Sequence, residues 1–512
     1  MREIVVVFDF GSQTSQLIAR RIRELGVYCE IIRHDISKDD LLRLNPVAVV
    51  LSGSPASVLE PGHPEMDSTI LDIDVPVLGI CYGMQLLAKM LGGTVEKGRG
   101  GEYGPAKIGV INPIGIFNDM ESDLDVWMSH GDHVIEMPEG FQVLASTPDC
   151  PISAMCNKDK KIYGIQFHPE VVHTPMGMDI IRNFLFTVAA CEGGWTMGRF
   201  IDESVGKIKD LVGDSNVTCG LSGGVDSSVA AALIDRAVGD QMEAIFVDNG
   251  LLREGEVDEI RSLFTDDYPF NFVIVDAADR FLTALKGVTD PEEKRKIIGK
   301  TFIDVFHDAA SHVEKAKFLA QGTLYPDVIE SQSAYGGPSA TIKSHHNVGG
   351  LPEDLGFELV EPLRELFKDE VRLLGKELGL PDRLLLRQPF PGPGLAVRII
   401  GEVTEEALSI LRRADVIVQE EMRNYEKYGE VWQSFAVLLP VKSVGVMGDE
   451  RTYANVVALR AVTSLDAMTA DWVKLPYEIL GRISSRIINE VKGVNRVVYD
   501  ISSKPPSTIE WE

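Results

Sequence analysis

The chain has 512 residues, of which 45% are hydrophobic and 25% are charged. This composition is typical of a globular protein, and the length predicts about three domains because one hydrophobic core rarely serves so long a chain. The 50 basic and 77 acidic residues give a net charge of −27. Such a surface repels nucleic acids and anionic membranes, so we expect neither as a partner.

The six cysteines include no Cys-x-x-Cys pair, and six in a chain of this length do not suggest a disulfide framework. We therefore expect a reducing, cytoplasmic compartment. The apolar start "IVVVFD" is too short for a signal-peptide core and carries the acidic Asp9, so it predicts a buried strand. The sequence contains no stretch of about eighteen uncharged apolar residues, so we expect no membrane span.

Short β-branched runs alternate with amphipathic runs in the first third of the chain. "IVVVFD" leads into "GSQTSQLIARRIRELG", and "VPVLGI" leads into "CYGMQLLAKMLGG". Continuous Val/Ile runs predict strands buried on both faces, and so a doubly wound parallel sheet with helices on either side. A strand-rich portion and a helix-like run near Cys191 complete this first predicted domain, residues 1–192.

The α/β rhythm restarts after the short connector "EGGWTMGRF" and predicts a second doubly wound parallel sheet over residues 193–387. Within it, residues 331–352 form a long polar run rich in glycine, which is more often a functional lid than a plain connector. Alternating proline and glycine in "QPFPGPG" mark a boundary at about Gln388. Residues 388–512 mix helices and strands, which predicts a smaller α+β domain.

Cys81 lies at a predicted strand-to-helix turn in "VPVLGICYGMQLLAKML". Such a turn exposes a side chain above the edge of the sheet, and the helix N-terminus favours the reactive thiolate. Gly79 and Gly83 flank the cysteine and permit a strained turn. The alternative is a buried cysteine at the end of an apolar strand, which is the commoner role for a lone cysteine.

Possible partners for Cys81 follow in "GIQFHPEV". His168 can act as general base and acid, and Glu170 can hold the imidazole in the required tautomer. The proline between them keeps both side chains on the same side of an extended segment. The loop "LSGSPASV" lies at another predicted strand end, where the Gly53 amide could help to bind an oxyanion.

These three pieces, in this order, resemble the class I glutamine amidotransferase domain over its whole length. The resemblance implies that Cys81 attacks the side-chain amide of glutamine, which gives a glutamyl thioester and ammonia. It also implies that the backbone amides of Gly53 and Tyr82 form the oxyanion hole. The chain departs from the usual Ser-Gly-Gly-Pro loop of the family, because Ser54 replaces the second glycine.

His130 and His133 in "SHGDHV" are three residues apart, a spacing compatible with a metal site. No third ligand is evident from the sequence. The resemblance instead implies that this segment belongs to the glutamine pocket or to its border with the next domain, and the individual roles of the two histidines stay open.

A second candidate site is the glycine loop in "LSGGVDSSV", between a predicted strand and a predicted helix. Its glycines let backbone amides turn towards a phosphate, and the helix N-terminus adds positive potential. Asp226 would place a carboxylate beside the phosphates, which suits a bridging Mg²⁺. The loop carries no Walker lysine, and the alternative is a tight turn with capping polar side chains.

The Ser-Gly-Gly-x-Asp-Ser-Ser signature is similar to that of the ATP pyrophosphatase (PP-loop) family, whose fold is adenine nucleotide alpha hydrolase-like. The resemblance implies cleavage of ATP between its α- and β-phosphates, with adenylylation of the substrate. It also implies that Asp248, at a strand end in "VDNGLL", contacts the nucleotide. The residues that would hold pyrophosphate are Ser222, Gly223, Gly224, Val225, Asp226, Ser227 and Ser228.

Segments of the second half, among them "IKSHHNVGGLP", "QPFPGPGLAVRI" and "VVYDISSKPPSTIEWE", resemble the glutamine-hydrolysing GMP synthetase family. With the two earlier domains, the resemblance spans essentially the whole chain. It implies conversion of xanthosine 5′-monophosphate (XMP) to GMP with ATP and glutamine, Mg²⁺ with the ATP, and no organic prosthetic group. It further implies a homodimer formed through residues 388–512.

The same resemblance implies that Lys343 lies on a mobile lid over ATP and XMP. Candidates for contacting XMP or organising its pocket are Asp327, Gln433, Lys504 and Glu510. Lys504 suits a phosphate, and Glu510 could accept hydrogen bonds from the base or the ribose. Each of the four could instead be an ordinary surface group.

Two other interpretations are possible. A PP-loop enzyme that modifies tRNA predicts a basic face and sulfur-handling cysteine pairs, neither of which the sequence shows. An amidotransferase domain kept only as a glutamine sensor predicts a broken triad, whereas Cys81, His168 and Glu170 are all present.

Overall fold

In the computed structural model of the chain, the structure describes residues 2–332, 356–447, 450–464 and 469–512. The predicted lid residue Lys343 lies outside these ranges. No helix in the described ranges is long and apolar enough to cross a membrane. The described residues up to Phe200, with 326–332, form one compact unit, and the remaining described residues form a second.

The first unit is built on a nine-stranded sheet. Its strands are β1 (Val5–Asp9), β2 (Cys29–Arg33), β3 (Ala48–Leu51), β4 (Val77–Ile80), β5 (Thr94–Val110), β6 (Asp123–Glu136), β7 (Gln142–Ser146), β8 (Ala154–Asn157) and β9 (Ile162–Ile165). Its α-helices are α1 (Ser15–Glu24), α2 (Lys38–Leu44), α3 (Tyr82–Met90) and α4 (Gly177–Arg182). Shorter 3₁₀ helices are Ser68–Asp72 and Gly115–Phe117, and Asn183–Val188 is a π-helix.

The order of the strands in this sheet is β2-β1-β3-β4-β9-β8-β7-β5-β6. The first five are parallel, as the continuous apolar runs predict, because such strands are buried on both faces. The last four extend the sheet through antiparallel pairings. The carboxyl ends of β3 and β4 and the end of β9 therefore lie side by side, which brings three predicted site segments to one edge.

The second unit contains two sheets. Its strands are β10 (Asn216–Leu221), β11 (Met242–Asp248), β12 (Phe272–Asp276), β13 (Ala316–Ala320), β14 (Glu358–Val360), β15 (Gln433–Met447), β16 (Glu450–Thr463), β17 (Asp471–Trp472) and β18 (Val494–Tyr499). The rest of the chain forms the α-helices α5 (Met197–Val212), α6 (Val225–Val238), α7 (Glu256–Ser262), α8 (Ala278–Ala284), α9 (Pro291–Ala310), α10 (Tyr325–Gln332), α11 (Lys368–Glu377), α12 (Asp382–Leu385), α13 (Glu405–Arg423) and α14 (Tyr477–Glu490). The division between the two units falls within α5 and within α10. Short 3₁₀ helices are Gly239–Gln241, Gly394–Arg398 and Tyr428–Glu430, and Leu263–Asp267 is a π-helix.

One sheet of this unit is fully parallel, with the order β12-β11-β10-β13-β14. The chain reverses direction across the sheet between β10 and β13, and ligands of doubly wound folds bind at such a switch point. The second sheet pairs β15 with β16 in a long antiparallel hairpin, to which β17 and β18 add. The predicted fold class, two doubly wound sheets and a C-terminal α+β portion, is confirmed.

A continuous apolar core explains why the second unit is not divided further. Ile245 of β11 and Phe306 of α9 belong to the same buried cluster as Leu411 of α13 and Ile483 of α14. The parallel sheet and the C-terminal helices therefore share one interior. The boundaries 1–192, 193–387 and 388–512 stay a prediction.

Candidate active sites

The strained turn at Cys81 is present. Strand β4 ends at Ile80, α3 begins at Tyr82, and Cys81 between them has a φ of 53° and a ψ of −106°. Residues other than glycine rarely adopt these backbone angles, and such strain is concentrated at functional sites. The Cys81 amide donates to the Ile165 carbonyl at 2.7 Å, which ties the turn to β9.

The two flanking glycines are required by close packing around the turn. A Cβ added to Gly83 would lie 2.5 Å from the Leu51 carbonyl oxygen of β3. One added to Gly79 would lie 2.6 Å from the backbone carbonyl carbon of Gly83. Neither backbone neighbour can move aside cheaply, so the tight approach of α3 to the sheet excludes side chains at both positions.

His168 and Glu170 form the predicted pair behind the cysteine. The His168 Nδ1 lies 2.7 Å from Oε1 of Glu170, whose side chain is fully buried. The backbone of His168 is held from both sides, because its amide donates to the Trp127 carbonyl and its carbonyl accepts from the Thr174 hydroxyl. The ring is therefore fixed in position before any substrate binds.

The electrostatics of this pair favour a charged imidazole. Burial alone disfavours the charge, but hydrogen bonding to Cys81 and Glu170, together with their negative charges, raises the pKa of His168 to about 10. Oε2 of Glu170 is buried and has no hydrogen-bond partner among the residues that the structure describes, so His168 compensates this carboxylate through Oε1. An imidazolium beside the sulfur stabilises the nucleophilic thiolate.

The predicted oxyanion loop follows β3 and lies against the histidine. A Cβ added to Gly53 would be 3.4 Å from Cε1 of His168. The departure from the usual loop sequence has a structural role, since the Ser54 hydroxyl donates to the Phe10 carbonyl at 2.8 Å and accepts from the Ala56 amide at 3.1 Å. Ser54 thus braces the loop that carries Gly53.

His130 braces the β5–β6 hairpin. Its ring nitrogens lie 3.0 Å from the Asp132 carbonyl oxygen and 3.0 Å from Oε2 of Glu102, its cross-strand neighbour. Among the described residues, Glu102, His130 and Cys150 are the group whose possible metal-ligating atoms lie within 4.8 Å of one another. Both nitrogens of His130 already have hydrogen-bond partners, which favours a structural role. His133 is not in this group.

The glycine loop joins β10 to α6 at the switch point of the parallel sheet. Gly223 has a φ of 74°, a conformation that favours glycine. The hydroxyls of Ser222 and Ser227 lie 3.0 Å apart, and the Ser222 amide donates to the Ser227 hydroxyl. These bonds curl the loop over the N-terminus of α6, as a phosphate-binding turn requires.

Asp226 is paired with a lysine that the sequence pattern did not indicate. Lys368, at the start of α11, places its Nζ 2.5 Å from both carboxylate oxygens of Asp226. Arg387 adds a second cation by donating to the Gly223 carbonyl at 2.8 Å. The positive charge that the loop itself lacks is therefore supplied from distant parts of the chain.

Asp248 ends β11, next to β10 in the sheet. Its carboxylate accepts from the Gly250 amide at 2.9 Å, which shapes the turn after the strand. The structure therefore places Asp248 and the glycine loop at the ends of neighbouring strands, where ligands of doubly wound folds bind. The contact of Asp248 with the nucleotide stays a prediction.

Known families cover both sites and the C-terminal portion. The chain matches models described as "Glutamine amidotransferase class-I" over residues 6–188, "NAD synthase" over 198–285 and "GMP synthase C terminal domain" over 420–511. A glutamine-hydrolysing GMP synthase of Caldanaerobacter subterraneus subsp. tengcongensis is 59% identical over 511 residues, covering 100% of this chain and 99% of that one. The chain belongs to the glutamine-hydrolysing GMP synthase family.

Other members of the GMP synthase family align over equally long stretches. The enzyme of Dehalococcoides mccartyi is 59% identical, covering 100% of this chain and 96% of that one. The enzyme of Clostridium tetani is 55% identical, covering 100% of both chains. The family predicted from the sequence motifs is thus confirmed.

In this member of the GMP synthase family, Glu510 and Gln433 are brought together. Arg398, fully buried, donates to both carboxylate oxygens of Glu510 at 2.8 and 3.0 Å. Nε2 of Gln433 donates to Oε1 of Glu510 at 2.8 Å and to the Pro389 carbonyl at 3.1 Å. The carboxylate is therefore held by two residues from separate segments, Arg398 and Gln433.

Two further buried cations hold the tail segment, which we define as residues 500–512. Lys294 of α9 lies 2.5 Å from Oε2 of Glu512. Arg460 of β16 donates to the carbonyls of Ser502 and Thr508 and pairs with Asp500 at 3.1 Å. These cations were not predicted, although an arginine inside the apolar run "VALRAV" is a signal that could have been followed.

The structure shows where two other residues predicted to contact XMP lie in the chain, but not a contact of either with Gln433 or Glu510 among the described hydrogen bonds. Lys504 lies in the tail segment, where its backbone pairs with that of Ala470. Asp327 lies in the first turn of α10. The structure thus joins Gln433 and Glu510 directly, and it does not describe Lys343.

Proposed function

We propose that this protein is a glutamine-hydrolysing GMP synthase. One site releases ammonia from glutamine, and the other activates XMP with ATP, so that ammonia displaces AMP and the products are GMP, AMP, pyrophosphate and glutamate. The observation that carries the proposal is the Cys81–His168–Glu170 geometry together with a complete PP-loop in one chain that aligns with such enzymes over its whole length.

At the amidotransferase site, the Cys81 thiolate attacks the amide carbonyl carbon of glutamine. The backbone amides of Gly53 and Tyr82 are the proposed donors to the resulting oxyanion. As this intermediate collapses, His168 gives its proton to the departing nitrogen, and ammonia leaves. His168 then takes a proton from water, which attacks the thioester and releases glutamate.

At the PP-loop, the backbone and hydroxyls of residues 222–228 are the proposed pyrophosphate cradle. Family membership implies an ATP-dependent enzyme of the PP-loop type. An oxygen of XMP attacks the α-phosphorus, pyrophosphate leaves, and the adenylate carries AMP as a good leaving group for ammonia. Lys368 and Arg387 supply positive charge next to the cradle.

The residues at this loop fit Mg²⁺ as the partner of ATP. Asp226 offers a partly exposed carboxylate in the first turn of α6, and hard oxygen ligands are those that Mg²⁺ prefers. Mg²⁺ held there by Asp226 and phosphate oxygens would neutralise charge as pyrophosphate departs. Lys368 balances the carboxylate and keeps it at the loop.

We further propose that Gln433 and Glu510 organise the XMP pocket, and that Lys504, Asp327 and Lys343 contribute to it. Gln433 and Glu510 are already hydrogen-bonded to each other, which supports an organising role. The cytoplasmic location is also a proposal. It is supported by the cysteines, all six of which are buried free thiols.

The substrate assignment predicts selective release of pyrophosphate. With ATP, Mg²⁺ and ammonium salt, XMP should stimulate release at least about 100-fold more than IMP, AMP or GMP, because only a correctly held acceptor oxygen reaches the α-phosphorus. A coupled phosphate assay with pyrophosphatase measures this directly. Equal stimulation by IMP, or none by XMP, would overturn the assignment.

A homodimer formed through residues 388–512 is supported by the distal part of the β15–β16 hairpin. Val444 is paired with Tyr453, and Val444, Val446 and Tyr453 are 51%, 75% and 69% exposed. Residues two apart in a strand share a face, so Val444, Val446 and Tyr453 form an apolar strip. Strips of this kind mark protein interfaces.

Val446→Asp is therefore expected to shift the protein from dimer to monomer at micromolar concentration, because it buries a charge in the proposed interface. Sedimentation velocity gives the two masses. Leu386→Asp is a matched control, since Leu386 is 71% exposed in the same unit but lies outside the hairpin. A monomeric unmutated protein, or a dimer that survives Val446→Asp, would speak against the hairpin as the interface.

A further inference from the structure

The sulfur of Cys81 has a neighbour that the triad does not include. Gln166 follows β9 directly and is fully buried, and its Nε2 lies 3.6 Å from Sγ of Cys81. The backbone N–H of Gln166 donates to the Ser153 carbonyl at 2.8 Å, which fixes the main chain at this position. A buried side-chain amide is thus aimed at the nucleophile from the strand that also leads to His168.

The orientation of this amide is set by a second glutamine. Gln85 of α3 donates from Nε2 to the Asp132 carbonyl at 2.8 Å and to Oε1 of Gln166 at 3.3 Å. A backbone carbonyl can only accept, so it holds the NH₂ group of Gln85 in place. If the Gln166 amide were reversed, two NH₂ groups would face each other, so its own NH₂ must point at the sulfur.

The contacts of the sulfur distinguish its two protonation states. Sγ lies 3.7 Å from the Ser129 carbonyl oxygen, which can accept from a thiol but repels a thiolate. The Gln166 amide is a donor, and donation to an anion is stronger than donation to a neutral acceptor. Burial and the chain of amides from Asp132 strengthen the bond further. Ser129 therefore favours the thiol, and Gln166 favours the thiolate.

We propose that Gln166 is a positioning residue for glutamine hydrolysis, whose side-chain amide stabilises and orients the Cys81 thiolate. The proposal rests on the nucleophilic role proposed for Cys81. Gln166 acts through the sulfur, with Gln85 holding its amide in the active orientation. It supplements the imidazolium of His168, which can give its proton to the departing amide nitrogen while the Gln166 donor stays in place.

The test is the pH dependence of Cys81 alkylation by iodoacetamide in the full-length protein, with Cys81→Ala as the blank. Gln166→Met removes the donor at similar volume, and Gln166→Glu replaces it with an acceptor. The alkylation midpoint should rise by about one pH unit in Gln166→Met and by more in Gln166→Glu, because a hydrogen bond to a charged group is lost. Glutaminase kcat/KM at pH 7 should fall about tenfold or more.

Ammonia-dependent GMP synthesis, catalysed at the PP-loop, should stay at the unmutated rate in both variants and reports that they fold. Unchanged alkylation midpoints in both variants would overturn the role of Gln166 while leaving the proposed function intact. Loss of ammonia-dependent synthesis in both would also contradict it, since Gln166 would then serve folding. If Cys81→Ala retains glutaminase activity, the proposed function itself fails.

Discussion

Cys81→Ala is expected to lower glutamine-dependent GMP synthesis by at least about 1,000-fold, because removal of a nucleophile leaves only binding and oxyanion stabilisation. Synthesis from ammonium salt should continue at the unmutated rate, since the PP-loop site lies in the other compact unit. Chromatographic measurement of GMP, with glutamine or ammonium chloride as the nitrogen donor, separates the two activities.

Cys156→Ala is the matched control, because Cys156 is another buried free thiol of the first unit but lies within β8 and not at the turn between β4 and α3. It should retain both activities. Loss of both activities in Cys81→Ala would contradict the assignment of ammonia production and ammonia consumption to separate sites.

Asp226→Asn is expected to damage both routes, by about 100- to 1,000-fold, because it removes the charge of the proposed Mg²⁺ ligand beside the phosphates of ATP. It also deprives Lys368 of its carboxylate partner. Initial rates of pyrophosphate release across a range of Mg²⁺ concentrations measure the effect, and the Mg²⁺ requirement should rise.

A second carboxylate on the same helix provides the comparison for this variant. Asp235→Asn lies near the other end of α6, where Gly239 follows the helix, and should leave both routes close to their unmutated rates. Activity of Asp226→Asn near the unmutated level with either nitrogen donor would refute the Mg²⁺ role of Asp226.

The amidotransferase triad could be predicted because its signals are local. The residues around Cys81 predict a turn between an apolar strand and a helix. The residues around the His-Pro-Glu segment predict an extended segment after another strand. Parallel strands then bring these ends together, as the pairing of β4 with β9 shows. The same reasoning held for the strand–loop–helix setting of Gly223 and Asp226.

Other parts of the sites depend on pairings that no local pattern encodes. Lys368 lies 142 residues from Asp226, and Arg398 lies 112 residues from Glu510. The sequence shows that these charges exist but not which carboxylate each one meets. The shared core of the second unit was unpredictable for the same reason, since it depends on how α9, α13 and α14 pack.

Gln166 was overlooked because it stands beside more conspicuous residues. A glutamine in an apolar strand end has no distinctive spacing, and its relation to Cys81 comes from the pairing of β4 and β9 and from Gln85 across the turn. Only the tertiary structure shows that the NH₂ group of Gln166 points towards the sulfur of Cys81.

The buried cations around the tail segment have a consequence for the timing of folding. Lys294 precedes its partner Glu512 by 218 residues, so during synthesis Lys294 has no partner carboxylate until Glu512 is added. Arg398 and Arg460 likewise precede their partners Glu510 and Asp500 in the chain. A buried ion pair that lacks one partner lowers the free energy of unfolding by about 3–5 kcal/mol. The core of the first sheet is complete within the first 200 residues. The ammonia-producing fold can therefore form on the ribosome well before the part of the chain that consumes ammonia reaches its final packing.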